Sequence, residues 1–342
     1  MITKDLARPQ QSLQPQQTTV DPQALELLYA TSTPSQPTVL HFIALIAAVC
    51  ILSFSAIFTR LSEQELSASA TIFNRFWIAS LALGLWSGLQ QFRQPPPENP
   101  HSSPSPTWQG RDLLWFLCLG ILIYSRAGSW AWSLTQTSVA NSNLLHNMTP
   151  LFATLGGWMF FGHRFNRQFL VGMGLALLGM LAIGIGDFQI GNSSLVGDGA
   201  ALLSSVFYAA NFLVIERLRV KFSTTTIMLG SCVITGLLTL PVVWLGGDQL
   251  LPTSPTVWLA VIALGVVSQG LGQGLLAFCL KHFTSGFVSV FMLLEPLFTA
   301  ILAWRIFAEQ LNLLNGLAFV IVLAGLYLAT ISRGAQKSEL AH

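Results

Sequence analysis

The chain has 342 residues, of which 52% are hydrophobic and 9% charged, with 16 basic and 14 acidic side chains and a formal net charge of +2. Mean hydropathy is +0.61. A soluble domain carries about a quarter charged residues, so this composition excludes a soluble enzyme, a disordered regulator and a conventional nucleic-acid binder.

In chain order, residues 1–37 read as a disordered cytoplasmic tail, with seven Gln and no long apolar run. No basic start leads into an apolar core, so a signal peptide is not expected. Gln23 to Ala30 offer at most a short amphipathic turn. Ten apolar segments follow, at about 39–59, 66–90, 112–134, 138–161, 167–186, 196–217, 223–246, 256–280, 285–307 and 312–332. A bilayer-spanning helix needs about 20 residues, so each is expected to be a transmembrane helix. Between the second and third lies a polar loop, 91–111, with Pro95, Pro96, Pro97, Pro100, Pro104 and Pro106. A short cytoplasmic tail, 333–342, ends the sequence. Cys50, Cys118, Cys232 and Cys279 lie within apolar runs, without metal-ligand spacing, and read as packing residues.

Loop charge orients the helices, because Lys and Arg collect on the cytoplasmic side. With a cytoplasmic N-terminus, twelve basic residues fall inside (Lys4, Arg8, Arg93, Arg111, Arg164, Arg167, Arg217, Arg219, Lys221, Lys281, Arg333 and Lys337) and two outside (Arg60 and Arg305). Arg75 and Arg126 lie within helices. Both termini are therefore expected in the cytoplasm of a multi-pass inner (plasma) membrane protein. Asn192-Ser193-Ser194 fits a glycosylation sequon on the expected outside.

The fourth and ninth segments resemble each other. Pro150-Leu151-Phe152 matches Pro296-Leu297-Phe298 at an offset of 146, which also pairs Trp158 with Trp304, Phe161 with Phe307, Asn166 with Asn312 and Gly179 with Gly325. The offset is a shift of five helices. Five is odd, so the two halves must cross the membrane in opposite senses, the build of many secondary transporters.

These residues carry a family resemblance. Phe73-Asn74-Arg75-Phe76, Ser138-Val139-Ala140-Asn141-Ser142 and Met148-Thr149-Pro150-Leu151-Phe152 in the first half are similar to tandem EamA domains of the drug/metabolite transporter superfamily, as are Leu294-Glu295-Pro296-Leu297-Phe298 and Ala308-Glu309-Gln310-Leu311 in the second. The resemblance covers about residues 40–332. It departs at Gly162-His163-Arg164, where the family has Gly-Glu-Arg, which puts the role of an acid at 163 in doubt. It implies a first repeat over 38–186, a second over 187–332, and export of amino acids, other metabolites or drugs.

Polar groups inside hydrocarbon are costly, so their positions are informative. The third segment carries Arg126, Ser129, Trp130 and Ser133 on one face, and the fourth Asn143, His146, Asn147, Pro150 and Thr154. The sixth offers Ser204, Tyr208 and Asn211, the eighth Gln269 and Gln273, and the ninth Ser285, Ser289, Met292, Glu295 and Thr299. These stripes are expected to converge on a central cavity. Arg126 either binds an anionic substrate group through paired N–H donors or forms a structural ion pair with Glu295. Glu295, read as the only acid within a span, either carries a coupling proton or stays paired with an arginine. Arg75 is read as structural or as the partner of Glu295. Trp130, His146, Asn147, Tyr208, Asn211, Gln269 and Gln273 are cavity-lining candidates, each with a plain packing alternative. Pro150 and Pro296 remove helix hydrogen bonds, as hinges or fixed kinks. Gly270 and Gly274 form a GxxxG, read as close helix packing within the chain or a dimer face.

The expected fold is an all-α integral membrane protein, ten transmembrane helices arranged as two inverted five-helix repeats around a central cavity. The expected function is secondary transport by alternating access, with proton-coupled and facilitative modes as open alternatives. The partners are a small-molecule substrate and the lipid bilayer, without nucleic acid, in a monomer or homodimer. No Walker P-loop or metal-ligand cluster is seen, so no cofactor and no enzymatic role are expected. The alternative is a non-transporting membrane sensor or scaffold that recruits partners through its N-terminal tail.

Overall fold

The computed structural model describes residues 39–93, 108–137, 139–185, 195–307 and 313–332. The two tails, the centre of the proline-rich loop, Ser138, the sequon at Asn192 and the stretch 308–312, with Glu309 and Asn312, lie outside the described residues.

All regular structure among the described residues is helical. The first three segments are α1 (Val39–Ser62), α2 (Ala68–Arg93) and α3 (Gly110–Gln136). The fourth is split into α4 (Val139–His146) and α5 (Thr149–Phe161), and the fifth is α6 (Arg167–Ile185). The sixth and seventh are α7 (Leu195–Leu218) and α8 (Thr224–Gly246). The eighth runs through α9 (Pro255–Ala263), a π-helical stretch Leu264–Gly272, and α10 (Gln273–Cys279). The ninth is split into α11 (Ser285–Phe291) and α12 (Leu294–Phe307), and the tenth is α13 (Leu313–Ile331). Seven of these segments are long and apolar enough to cross a membrane, and parts of α6 and α13 form shorter apolar helices.

Local chemistry sets the ends. Ser223, Ser254 and Thr284 cap α8, α9 and α11 by accepting the N–H three residues on. Asp112 and Gln109 form a capping box at the start of α3. Gly162 and Gly247 end α5 and α8 with φ of 65° and 67°, the left-handed conformation glycine adopts without strain. Outward faces are apolar: Leu85, Trp86, Trp158, Phe160, Trp244 and Leu245 are all more than half exposed. That is the pattern of a surface in contact with lipid.

The pairing of segments follows an internal two-fold. The third packs along the sixth, and the eighth along the first; the second lies against the seventh, and the fifth against the tenth. In that last pair, a Cβ on Gly325 would stand 2.6 Å from the carbonyl oxygen of Gly172, and a Cβ on Gly179 2.8 Å from the amide nitrogen of Val322. Residue numbers rise along α6 as they fall along α13, so the two helices are antiparallel. Shifting by 146 turns each contact partner into the other: 172 becomes 318, 176 becomes 322 and 179 becomes 325. Only a two-fold axis perpendicular to the helices makes repeat mates antiparallel, which is the inverted arrangement expected from the odd shift.

Gly270 and Gly274 do not make the close packing within the chain that their spacing suggests. Nothing stands within 4 Å of a Cβ built on Gly274, and Gly270 meets only the Gly265 carbonyl of its own segment. The close approaches are at Gly272, against Leu52 and Ile51, and at Gly265, against Ile78. The π-helical register rotates the eighth segment, so α-helical spacing picks the wrong face.

Candidate functional site

Arg126 of α3 lies over Tyr208 of α7, its guanidinium carbon 4.5 Å from the ring centroid. At that range the negative face of the ring attracts a cation. Ser204, one turn before Tyr208, donates to the Arg126 carbonyl oxygen at 3.0 Å and meets His146 Nδ1 at 2.9 Å. A hydroxyl has one proton, and here it is committed to the carbonyl, so Nδ1 of His146 is the donor. The His146 ring stacks on Tyr208 with centroids 5.6 Å apart and 13° between planes, and Trp130 closes the other side at 6.0 Å.

Among the described residues, Arg126 Nε and Trp130 Nε1 are buried without a hydrogen-bond partner, as is Oδ1 of Asn211, one turn beyond Tyr208 on α7. Buried polar groups are normally satisfied. Two donors and one acceptor are thus left open near aromatic rings.

Arg75 of α2 is spent differently. Its Nε donates to Gln269 Oε1 at 3.0 Å and its Nη1 to Ser55 Oγ at 3.2 Å. It thus ties the first, second and eighth segments together. Glu295 lies in the field of both Arg126 and Arg75, yet no ion pair within 4 Å joins it to either. Around it the first and ninth segments are stitched by hydroxyls. Ser53 donates to the Glu295 carbonyl at 3.3 Å, and Thr299 donates to the Ser53 carbonyl at 3.1 Å.

The prolines mark breaks. α4 stops at His146 two residues before α5 begins, and α11 stops at Phe291 two residues before α12 begins. Each gap lies just ahead of the proline, Pro150 or Pro296. Proline has no N–H and clashes with the carbonyl four residues earlier. At the first gap Thr149 Oγ1 donates to the His146 carbonyl at 2.8 Å; at the second the Glu295 N–H reaches the Met292 carbonyl at 3.0 Å. The structure brings Arg126, Trp130, His146, Tyr208 and Asn211 into one neighbourhood, and Gln273 approaches the Tyr208 phenol. Asn147 stands apart, donating to the Asn143 carbonyl of its own segment at 2.8 Å.

Glu295 is not the sole acid within a helical span. Glu216, near the end of α7, is 3% exposed; its Oε1 lies 3.3 Å from His163 Nε2 and its Oε2 accepts the Ser285 N–H at 2.9 Å. α7 runs to Leu218 and holds Glu216 in its last turn, buried against the start of α11. His163 therefore does have a carboxylate beside it, supplied from another segment. The signal for Glu216 in the sequence is an acid inside the last turn of an apolar run. Ser204 lies on the polar stripe read from the sixth segment, whereas nothing local signalled Ser55 as a partner of Arg75. Among the described residues, no group of three or more His, Cys, Asp or Glu is placed to hold a metal ion.

Residues 40–185 and 195–331 each match the model of the EamA-like transporter family. The pseudopaline exporter CntI of Pseudomonas aeruginosa is 27% identical over 193 residues, 56% of this chain and 66% of that protein. The uncharacterized transporter YxxF of Bacillus subtilis is 24% identical over 280 residues, 79% of this chain and 84% of that protein. A solved crystal structure superposes with a TM-score of 0.71 at 18% identity, over 86% of this chain and 98% of the other, a likeness of fold.

Proposed function

The chain belongs to the EamA-like transporter family, and from that membership we propose a secondary transporter that exports small organic molecules bearing a carboxylate or other anionic group. Amino acids, other metabolites and amphipathic drugs are the candidate cargo. The observation that carries the substrate reading is the half-buried Arg126 guanidinium. It lies over Tyr208, its Nε has no partner, and Glu295 does not neutralise it in an ion pair. A guanidinium in such a site binds an anion through charge-assisted N–H donors. Trp130 Nε1 adds a second donor, and Asn211 Oδ1 accepts from a donor on the same ligand.

Alternating access is supported by the two-fold. Two similar halves of opposite sense can exchange packings, one open to each side. The breaks ahead of Pro150 and Pro296 give each half a point of bending. Outward transport is supported by a relative named as an exporter, and a plasma-membrane setting with cytoplasmic termini by the twelve-to-two distribution of loop Lys and Arg.

The test is a panel of labelled metabolites offered to inverted membrane vesicles carrying wild type or Arg126→Ala. The expected result is loss confined to anionic compounds. Undiminished uptake of anions by Arg126→Ala overturns the assignment, as does equal loss for every compound, which marks a folding role.

A further inference from the structure

Outside the central cluster, a cavity of about 490 Å³ opens between the loop that follows α7 and the loop that follows α10. Its lining includes Arg219, Lys221 and Lys281, with Ser223, Thr224 and Thr225. Three cations converge from two loops more than 50 residues apart in sequence. Asp112 pairs with Lys221. Among the described residues, no carboxylate pairs with Arg219 or Lys281. The cavity therefore keeps two positive charges in surplus.

Arg219 is 9% exposed and held in place, its Nε donating to the Ala277 carbonyl at 3.1 Å and its Nη1 to the Phe222 carbonyl at 2.7 Å. Burial pulls its pKa below the ordinary arginine value, because desolvation disfavours the charged form. Depth is set by the neighbours. Trp108, 58% exposed, packs on Phe222 with ring centroids 4.7 Å apart, and Val220 at the loop tip is 81% exposed. An exposed indole at the end of apolar helices belongs at the headgroup level of a bilayer. Basic pockets at that level, between membrane helices, bind anionic head groups.

We propose that this cavity binds a phosphate-bearing anion, supplied by the headgroup of an anionic phospholipid. The guanidinium and ammonium groups meet the phosphate oxygens, and the hydroxyls of the Ser223–Thr225 turn line the remaining wall. The site is separate from the Arg126 cluster and does not depend on what the protein transports.

The experiment uses the full chain purified in mild detergent. Thermal unfolding and native mass spectrometry are read with added phosphatidylglycerol, with phosphatidylcholine, and with inorganic phosphate, for wild type and for Lys281→Glu. Lys281 is exposed, so its variant should fold; equal unfolding temperatures without lipid check this. The expected result is retained phosphatidylglycerol adducts and a raised unfolding temperature in wild type, absent with phosphatidylcholine, with binding about tenfold weaker in Lys281→Glu. Stabilisation by inorganic phosphate equal to that by phosphatidylglycerol, lost in the variant, upholds the phosphate site but overturns its lipid source. Identical binding of phosphatidylglycerol by wild type and variant, or binding by neither, overturns the proposal.

Discussion

Gly172 and Gly325 meet backbone to backbone. A Cβ on either would stand 2.6 Å from the carbonyl oxygen of the other. No side chain lies between the helices at this crossing, so neither glycine has a flexible neighbour that can yield. Gly325→Val is expected to lower stability by about 1–3 kcal/mol, the usual cost of overpacking. Gly174, with open space around it, gives the control: Gly174→Ala should leave the unfolding temperature in detergent unchanged or slightly raised.

The Tyr208 ring meets both the Arg126 cation and the His146 ring. Tyr208→Phe keeps the aromatic face and should hold substrate affinity near wild type. Tyr208→Leu removes it, and a lost cation–π contact of about 0.5–2 kcal/mol corresponds to about 2- to 30-fold weaker binding. Substrate titration in proteoliposomes measures both; equal affinities for the two variants would remove Tyr208 from the binding site.

Glu295 tests the coupling of transport to protons. Its carboxylate lies in the field of two arginines without an ion pair to either, and a coupling role for it has a direct test. Glu295→Gln should abolish the response of proteoliposome flux to an imposed pH gradient while substrate binding survives. Flux that still follows the gradient would place coupling elsewhere or make the transport facilitative.

Glu216 joins His163 to the start of α11. Glu216→Ala strands the buried Ser285 N–H, and a buried donor without an acceptor costs about 1–3 kcal/mol. Glu216→Gln keeps an acceptor oxygen and should cost less. The ordering of the two unfolding temperatures is the readout; a glutamine variant as unstable as the alanine one would assign the role to charge.

Glu65 lies in the turn between α1 and α2 and clasps the start of the eighth segment. Its Oε2 accepts from the Thr253 N–H and hydroxyl at 2.9 Å and from the Ser254 N–H at 3.1 Å. Hydrogen bonds from Ser254, then Thr253, lower its pKa from 4.5 to about 2. A carboxylate with a depressed folded pKa stabilises the fold above its unfolded pKa and loses that contribution as pH falls through the folded value. Wild type should therefore lose stability between about pH 4.5 and 2, and Glu65→Gln should lack that part of the acid limb. Parallel acid limbs for the two proteins in thermal unfolding would show that the clasp contributes nothing.

The sequence by itself determined the class of the protein, its helices and its symmetry. Scarce charge leaves no way to wet the surface of a soluble fold, and an apolar run of bilayer length has no stable alternative to a helix, because lipid satisfies no backbone groups. The ten segments stand within a few residues of where hydropathy puts them. The offset of 146 from Pro150 to Pro296 and from Gly179 to Gly325 already implied inversion, since an odd number of crossings reverses direction. Arg126, Tyr208 and His146 were visible as costly polar groups on helical faces.

Tertiary structure alone decided which of those faces meet. Helical periodicity is local and says nothing about how a helix is rotated against a partner 80 or 190 residues away. The stacking of Arg126 on Tyr208, the bond from Arg75 to Gln269 and the role of Ser204 come only from packing. The π-helical stretch Leu264–Gly272 changes the register of the eighth segment, so the close contact falls on Gly272 and not on Gly270 or Gly274. The turn at Asn147 and Met148 swings Asn147 back onto its own segment. Glu216 falls within the sixth apolar segment, 196–217, yet so near its end that hydropathy cannot tell burial from exposure. Its burial depends on His163 and Ser285, which the fold alone brings beside it.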